Sequence, residues 1–182
     1  MGNAIGMVEF TSIAKGIFTV DQMVKVAEVE VVAAVSTCPG KYFVIITGDV
    51  ASVENSVQVG EEHAKEYLVD FIMIPNVSQD IFPAISGATM PEHMGAIGIV
   101  ESFSISTMVI AADAILKSVD VEAIELRLGN GLGGKAFFTF TGDVAAVSAG
   151  VDQAKKVMKS KGLLVNAEVI PSPSTKLIPA LL

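Results

Sequence analysis

The chain has 182 residues, 51% of them hydrophobic, with a formal net charge of −8, no Trp and a single Cys. This length suits one ordinary domain or two small ones. One cysteine excludes an intrachain disulfide framework and fits a reducing cytoplasm, and the lack of a basic patch argues against a nucleic-acid partner.

The hydrophobic content is high for a chain that shows no membrane signal. The mean hydropathy is +0.59, yet the longest apolar run, Gly95 to Leu116, is interrupted by Glu101 and Asp113. The first residues show no basic region followed by an apolar core, so no signal peptide is predicted. We therefore expect a cytoplasmic protein without a membrane span, whose apolar surface is buried against other chains.

The sequence repeats itself in order. Ala4–Glu9 returns as Ala96–Glu101, and Thr47–Ala51 returns as Thr141–Ala145. The pairs Asp21 with Lys25, Ile74 with Pro75 and Pro83 with Ala84 return as Asp113 with Lys117, Ile170 with Pro171 and Pro179 with Ala180. The repeat predicts two homologous domains, residues 1–90 and 91–182, joined across residues 86–94.

Each copy shows the pattern strand, helix, two strands, helix, strand. In the first copy the strands are predicted at Ala4–Phe10, Val29–Thr37, Tyr42–Thr47 and Val69–Ile74, with helices starting after Ser12 and at Asp49. In the second copy the elements are predicted at Ala96–Phe103, Ser106–Val119, Ala123–Leu128, Lys135–Thr141, Val144–Lys161 and Leu163–Ile170. This order predicts an α+β fold of two tandem ferredoxin-like (βαββαβ) domains.

The two predicted hairpins differ, and the single cysteine lies in the first, Thr37-Cys38-Pro39-Gly40. One thiol cannot hold a metal centre alone, because zinc and iron–sulfur sites usually take four ligands. Either Cys38 is a small buried apolar residue, or several copies of the chain bring their Cys38 residues together.

The second hairpin, Gly129 to Lys135, satisfies two nucleotide-binding patterns, the dinucleotide fingerprint and most of the phosphate loop. Both patterns require a helix after the glycines, because its N-terminus attracts the phosphate. A predicted strand follows instead, so a hairpin that exposes backbone N–H groups is the favoured interpretation.

Four further side chains recur at equivalent positions. Glu9 and Glu101 lie in the first strand of each copy, where a repeated structural role is favoured over a catalytic pair. Lys25 and Lys117 are ordinary exposed helix lysines by default, but their recurrence also fits contacts to a neighbouring molecule.

Taken together, the duplicated strand, the Asp-x-x-x-Lys helix, the hairpin ending in Lys and the Thr-Gly-Asp-Val-Ala helix start resemble bacterial microcompartment shell proteins. The tandem arrangement resembles their trimeric class, in which three chains imitate a six-domain tile. Cys38 in Thr-Cys-Pro-Gly makes the resemblance strongest to the iron–sulfur-carrying members of propanediol-utilisation compartments.

This resemblance implies a non-enzymatic subunit that forms a homotrimer with a central pore. The hairpins would line that pore through Thr37, Pro39, Gly40, Gly129, Asn130, Gly131, Leu132 and Gly133. Lys25 and Lys117 would lie at tile edges, in contact with other shell proteins of the cytoplasmic compartment.

The resemblance also implies a cofactor. Three Cys38 thiolates around a threefold axis suit an iron–sulfur cluster, [4Fe–4S] with another ligand on the fourth iron, or [3Fe–4S]. Such a subunit would pass electrons across the shell, to an encapsulated or cytosolic redox enzyme, or pass the cluster itself. Two alternatives remain: a shell subunit with an unmetallated metabolite pore, and a regulatory module that binds a small ligand.

Overall fold

A computed structural model of the chain describes residues 2–159 and 163–181. The chain consists of two compact units, the first ending at Val77 and the second beginning at Ser78. Each unit contains one four-stranded antiparallel sheet and two long helices, in the same order along the sequence.

In the first unit, every predicted strand and helix is present. The elements are β1 (Ala4–Phe10), α1 (Ile13–Val26), β2 (Glu30–Thr37), β3 (Lys41–Gly48), α2 (Val50–Ala64) and β4 (Leu68–Ile74). The Ser12 hydroxyl accepts a hydrogen bond from the Lys15 N–H, and the Asp49 carboxylate accepts one from the Ser52 N–H. These side chains satisfy N–H groups that the first turn of a helix leaves unpaired, which is why α1 and α2 begin where they do.

The second unit repeats this order after a short helix of its own. Its elements are α3 (Ile81–Ser86), β5 (Ala96–Ser102), α4 (Ile105–Ser118), β6 (Val121–Leu128), β7 (Ala136–Gly142), α5 (Val144–Lys159) and β8 (Leu164–Ile170). The predicted end of the last long helix, Lys161, lies outside the described residues.

The two sheets have the strand orders β2-β3-β1-β4 and β6-β7-β5-β8. All neighbouring strands are antiparallel, and β1 pairs with β3 from Ala4 opposite Gly48 to Phe10 opposite Tyr42. The equivalent pair β5 and β7 runs from Ala96 opposite Gly142 to Ser102 opposite Ala136. This strand order and the helical crossings confirm the predicted α+β, ferredoxin-like fold in both units.

The core of the first unit lies between its sheet and its helices. Alternate residues of β1 and β3 supply one side of this core, because successive strand side chains point to opposite faces. The buried residues of the cluster are Ala4, Val8, Phe10, Met23, Tyr42, Val44, Ile46, Val53, Val57 and Ala64.

The short helix α3 was not predicted from the sequence. It has six residues, includes Pro83, and packs on β6 with Ile81 and Phe82 buried. A helix this short is not stable by itself, so packing rather than a periodic pattern accounts for it. Residues 78–90 therefore make their contacts within the second unit.

Candidate functional site

The first hairpin joins β2 to β3 through a tight turn at Cys38 and Pro39. The Gly40 N–H donates to the Thr37 carbonyl oxygen at 2.9 Å, and Gly40 has a φ of 83°. A backbone with positive φ strains most side chains but not glycine, so Gly40 allows the chain to reverse here. The turn places Cys38 at the tip of the hairpin, away from the core cluster.

Cys38 is a free, partly exposed cysteine. Among the described residues, no group of three His, Cys, Asp or Glu side chains lies close enough to hold a metal ion. A metal at Cys38 would therefore need ligands from outside the described chain, which agrees with the ligand count that the sequence implies.

The preceding residue, Thr37, is buried, and its hydroxyl Oγ1 has no hydrogen-bond partner among the described residues. A buried hydroxyl without a partner costs free energy, so such groups usually serve a ligand, a water or another chain. A partly exposed thiol and an unpaired hydroxyl on consecutive residues fit a group bound at this hairpin, provided that other chains complete the ligand set.

The second hairpin is longer and rich in glycine. Gly129, Gly131, Gly133 and Gly134 all have φ values between 61° and 89°, which accounts for the glycines in this loop. The strand β7 follows directly, which confirms the predicted strand at the point where both nucleotide-binding patterns require a helix.

The predicted pore-lining residues all lie in or beside these two hairpins. Pro39, Gly40, Asn130, Gly131 and Gly133 are exposed, Leu132 is partly exposed, and Thr37 and Gly129 are buried. That they line a pore stays a prediction.

Each hairpin is followed by a lysine that pairs with a carboxylate of the first strand. Lys41 Nζ lies 3.0 Å from Glu9 Oε1, and Lys135 Nζ lies 2.5 Å from Glu101 Oε1. The repeated pairs fit the structural role expected for these glutamates.

Burial raises the pKa of Tyr42, the residue after Lys41.

Lys25 and Lys117 lie in the last turns of α1 and α4 and are both accessible. Each pairs with an aspartate one turn earlier, Asp21 or Asp113, at 2.6 Å. A cation at a helix C-terminus also interacts favourably with the helix dipole. Both lysines are thus placed where a neighbouring molecule can contact them, and their role at tile edges stays a prediction.

Comparison with known proteins connects this geometry to a family. The model of the BMC domain matches residues 4–77 and 96–173, once in each structural unit. The chain belongs to the family of bacterial microcompartment shell proteins. The predicted resemblance to this family is confirmed, and the iron–sulfur cluster stays a prediction.

Relatives in the microcompartment family match almost the whole chain. It is 38% identical to the bacterial microcompartment shell protein PduT of Citrobacter freundii, over 95% of this chain and 94% of the relative. It is 26% identical to the carboxysome assembly protein CcmO of Synechococcus elongatus, over 98% of this chain and 68% of that protein. A crystal structure of a microcompartments protein from Desulfitobacterium hafniense DCB is 43% identical and covers 98% of this chain and 99% of its own, with a TM-score of 0.93.

Membership in the microcompartment shell family fixes the general role. The chain is a structural subunit of a microcompartment shell, built from two tandem domains, and it is not an enzyme. It assembles with other shell proteins as an oligomer. None of the helices in the described part of the chain is long and apolar enough to cross a membrane.

The ion pairs of Glu9 with Lys41 and of Glu101 with Lys135 were not predicted from the sequence. Glu9 and Lys41 are 32 positions apart, so no local pattern joins them. The available signal was their joint recurrence as Glu101 and Lys135, at offsets of 92 and 94 residues. When an acidic and a basic residue both recur at equivalent positions of a duplicated chain, the recurrence predicts that each copy forms the same ion pair.

Proposed function

We propose that this shell subunit is a homotrimer whose three Cys38 thiolates hold one iron–sulfur cluster, [4Fe–4S], at the central pore. The observation that carries the proposal is the position of Cys38, a free and accessible thiol at the tip of a hairpin. Each chain offers one thiolate, so a threefold axis through the first hairpins supplies three ligands.

The chain's own residues have separate tasks in this proposal. Cys38 ligates, Gly40 allows the turn that presents the thiol, and the Lys41–Glu9 pair anchors the start of β3. Thr37 precedes Cys38 and offers a hydroxyl that has no hydrogen-bond partner among the described residues. When bound, the cluster supplies one-electron redox chemistry at the pore.

The proposed role is electron transfer across the shell, with an encapsulated or cytosolic redox enzyme as partner, or passage of the cluster through the shell. A [3Fe–4S] cluster would need no further ligand, whereas the fourth iron of [4Fe–4S] needs one from elsewhere. The glycine-rich second hairpins would complete the pore wall with backbone N–H groups.

Iron content and colour of the anaerobically purified protein test the proposal. We expect a brown trimer of three 19.0 kDa chains that contains about four iron and four sulfide atoms per three chains, as one [4Fe–4S] cluster requires. The Cys38→Ala variant should be colourless and trimeric, because the hairpin tip lies outside the core.

Asn130→Ala is the matched control, since it changes the tip of the second hairpin and leaves the thiol in place. It should keep the colour and the iron. A colourless, iron-free wild-type trimer made with adequate iron would leave an unmetallated metabolite pore as the function. A stable monomer would instead rule out a cluster shared by three chains.

A further inference from the structure

The helices α1 and α4 can be compared position by position. Both have 14 residues, and both begin after a serine whose hydroxyl caps the first turn, Ser12 or Ser104. Equivalent residues are therefore 92 positions apart, so that Asp21 corresponds to Asp113 and Ile17 to Val109.

Burial of these equivalent positions differs sharply. Ile17 is 55% exposed, whereas Val109 is fully buried, and Ile13 is exposed where Ile105 is buried. The apolar face of α4 is covered, whereas the equivalent face of α1 is exposed. An exposed apolar face of this kind indicates a surface that another molecule covers.

The edge strands β2 and β6 show the same contrast. In the second unit, α3 packs on β6, and Ala123 of that strand is 7% exposed. The equivalent residue of β2, Val31, is 46% exposed. Residues that cover β6 in the second unit thus have no counterpart on β2 within the described chain.

A hydrogen bond joins α4 to Ser78, which lies just before α3. Asp113 uses Oδ2 for Lys117, and its Oδ1 accepts a hydrogen bond from the Ser78 N–H at 2.8 Å. Asp21 uses Oδ2 for Lys25 in the same way, but no described residue donates to its Oδ1. Both aspartates carry the acceptor oxygen, but among the described residues only Asp113 receives this backbone hydrogen bond.

The missing donor has a counterpart later in the chain. Pro75 and Pro83 recur as Pro171 and Pro179, at an offset of 96 residues, so Ser174 corresponds to Ser78 and Leu177 to Ile81. Ile81 is fully buried, whereas Leu177 is an exposed large apolar residue. The segment of residues 174–178 therefore repeats a covering segment, but within the described part of the chain it leaves Leu177 uncovered.

We infer that residues 174–178 of a second copy of this chain dock on α1 and β2 of the first unit, with the Ser174 N–H donating to Asp21 Oδ1. The contact is head to tail, because donor and acceptor lie in different copies of the domain. Repeated three times it closes a ring, so the inference rests on the proposed homotrimer and deepens it.

The docked segment is limited by contacts within its own unit. Ala180 and Leu181 lie beside Gly87 and Thr89 of the second unit, so the segment proposed to dock runs from Ser174 to Ile178. Leu177 supplies the apolar contact expected from Ile81, and Val31 and Ile17 supply the surface that receives it.

Sedimentation equilibrium of matched variants tests the contact. Asp21→Ala removes the acceptor, and Ser174→Pro removes the N–H donor. A hydrogen bond to a carboxylate lost at each interface should raise the concentration needed for half-maximal trimer formation about tenfold or more. The double variant should associate no more weakly than the weaker single variant, because both changes break one bond.

Two controls separate association from folding. Lys25→Met removes the ion pair of Asp21 but leaves Oδ1 free to accept, so its trimer should be as tight as that of the wild type. Asp113→Ala breaks the contact inside one chain, so it should lower the melting temperature at every protein concentration.

The outcomes distinguish this contact from the proposed function. If the wild type is a trimer and Asp21→Ala or Ser174→Pro associates as tightly as Lys25→Met, the docking contact is wrong and the proposed function stands. If the wild type is a monomer at micromolar concentration, the proposed homotrimer fails and the contact fails with it.

Discussion

Lys41 Nζ and Glu9 Oε1 lie 3.0 Å apart and join the first residue of β3 to the central strand β1. The Glu9 side chain is only 4% exposed, whereas its counterpart Glu101 is 31% exposed. The same ion pair is therefore formed in two different environments within one chain. A buried carboxylate depends on its partner far more than an exposed one does.

Removing the lysine should be costly in the first copy and nearly neutral in the second. We expect Lys41→Met to lower the free energy of unfolding by about 2–4 kcal/mol, because it leaves a buried carboxylate unpaired. Lys135→Met should cost less than about 1 kcal/mol, since water still solvates Glu101. Denaturant unfolding at one fixed protein concentration measures both.

The control for this pair is the double variant Glu9→Gln with Lys41→Met. It should be more stable than Lys41→Met alone, because a neutral amide replaces the unpaired charge. Equal losses for Lys41→Met and Lys135→Met would show that burial of Glu9 does not decide the strength of the pair.

Lys25 and Lys117 are expected to act between tiles rather than within the fold. Replacing both by Ala should leave a folded trimer, because exposed substitutions usually change stability by less than about 0.5 kcal/mol. Sheet formation and incorporation into shells should nevertheless weaken. Electron microscopy of assembled sheets, alongside sedimentation of the trimer, measures the two effects separately.

Lys155 provides the comparison for the edge lysines. It is an accessible helix lysine that pairs with Asp152 at 3.8 Å, and Glu61 stands at the equivalent position of the first copy. Lys155→Ala should leave the sheets unchanged. Normal sheets from the Lys25→Ala, Lys117→Ala double variant would return both lysines to an ordinary surface role.

Asp49 should make the stability of the first unit depend on pH in acid. Hydrogen bonds from the Ser52 side chain and backbone lower the pKa of its carboxyl below the ordinary value. A carboxyl with a lowered folded-state pKa stabilises the fold above its unfolded pKa, near about 4. That contribution is lost as the pH falls through the folded pKa.

Two substitutions at Asp49 separate capping from titration. Asp49→Ala should lower the melting temperature at pH 7 by a few degrees, because α2 loses its N-cap. Asp49→Asn should keep most of the capping, since Asn is also a good N-cap, and lose this part of the acid dependence. Thermal unfolding from pH 7 to pH 3 measures both, and parallel pH curves for wild type and Asp49→Asn would contradict the assignment.

The sequence by itself determined the duplication, the order of strands and helices, and the two hairpins. These features depend on local physics: the short apolar runs of β1 and β3, the capping residues Ser12 and Asp49, and glycines at positive φ. They could be predicted because each acts within a few neighbouring residues of the chain.

Only the tertiary structure decided which of two equivalent positions is covered. Ile17 and Val109 have the same place in the same helical pattern, yet one is exposed and the other buried. Likewise, the Glu9–Lys41 pair and the helix α3 depend on segments distant in sequence. A residue is buried when another chain segment packs on it. A local sequence pattern shows which face of a helix or strand is apolar, but not which segment covers that face.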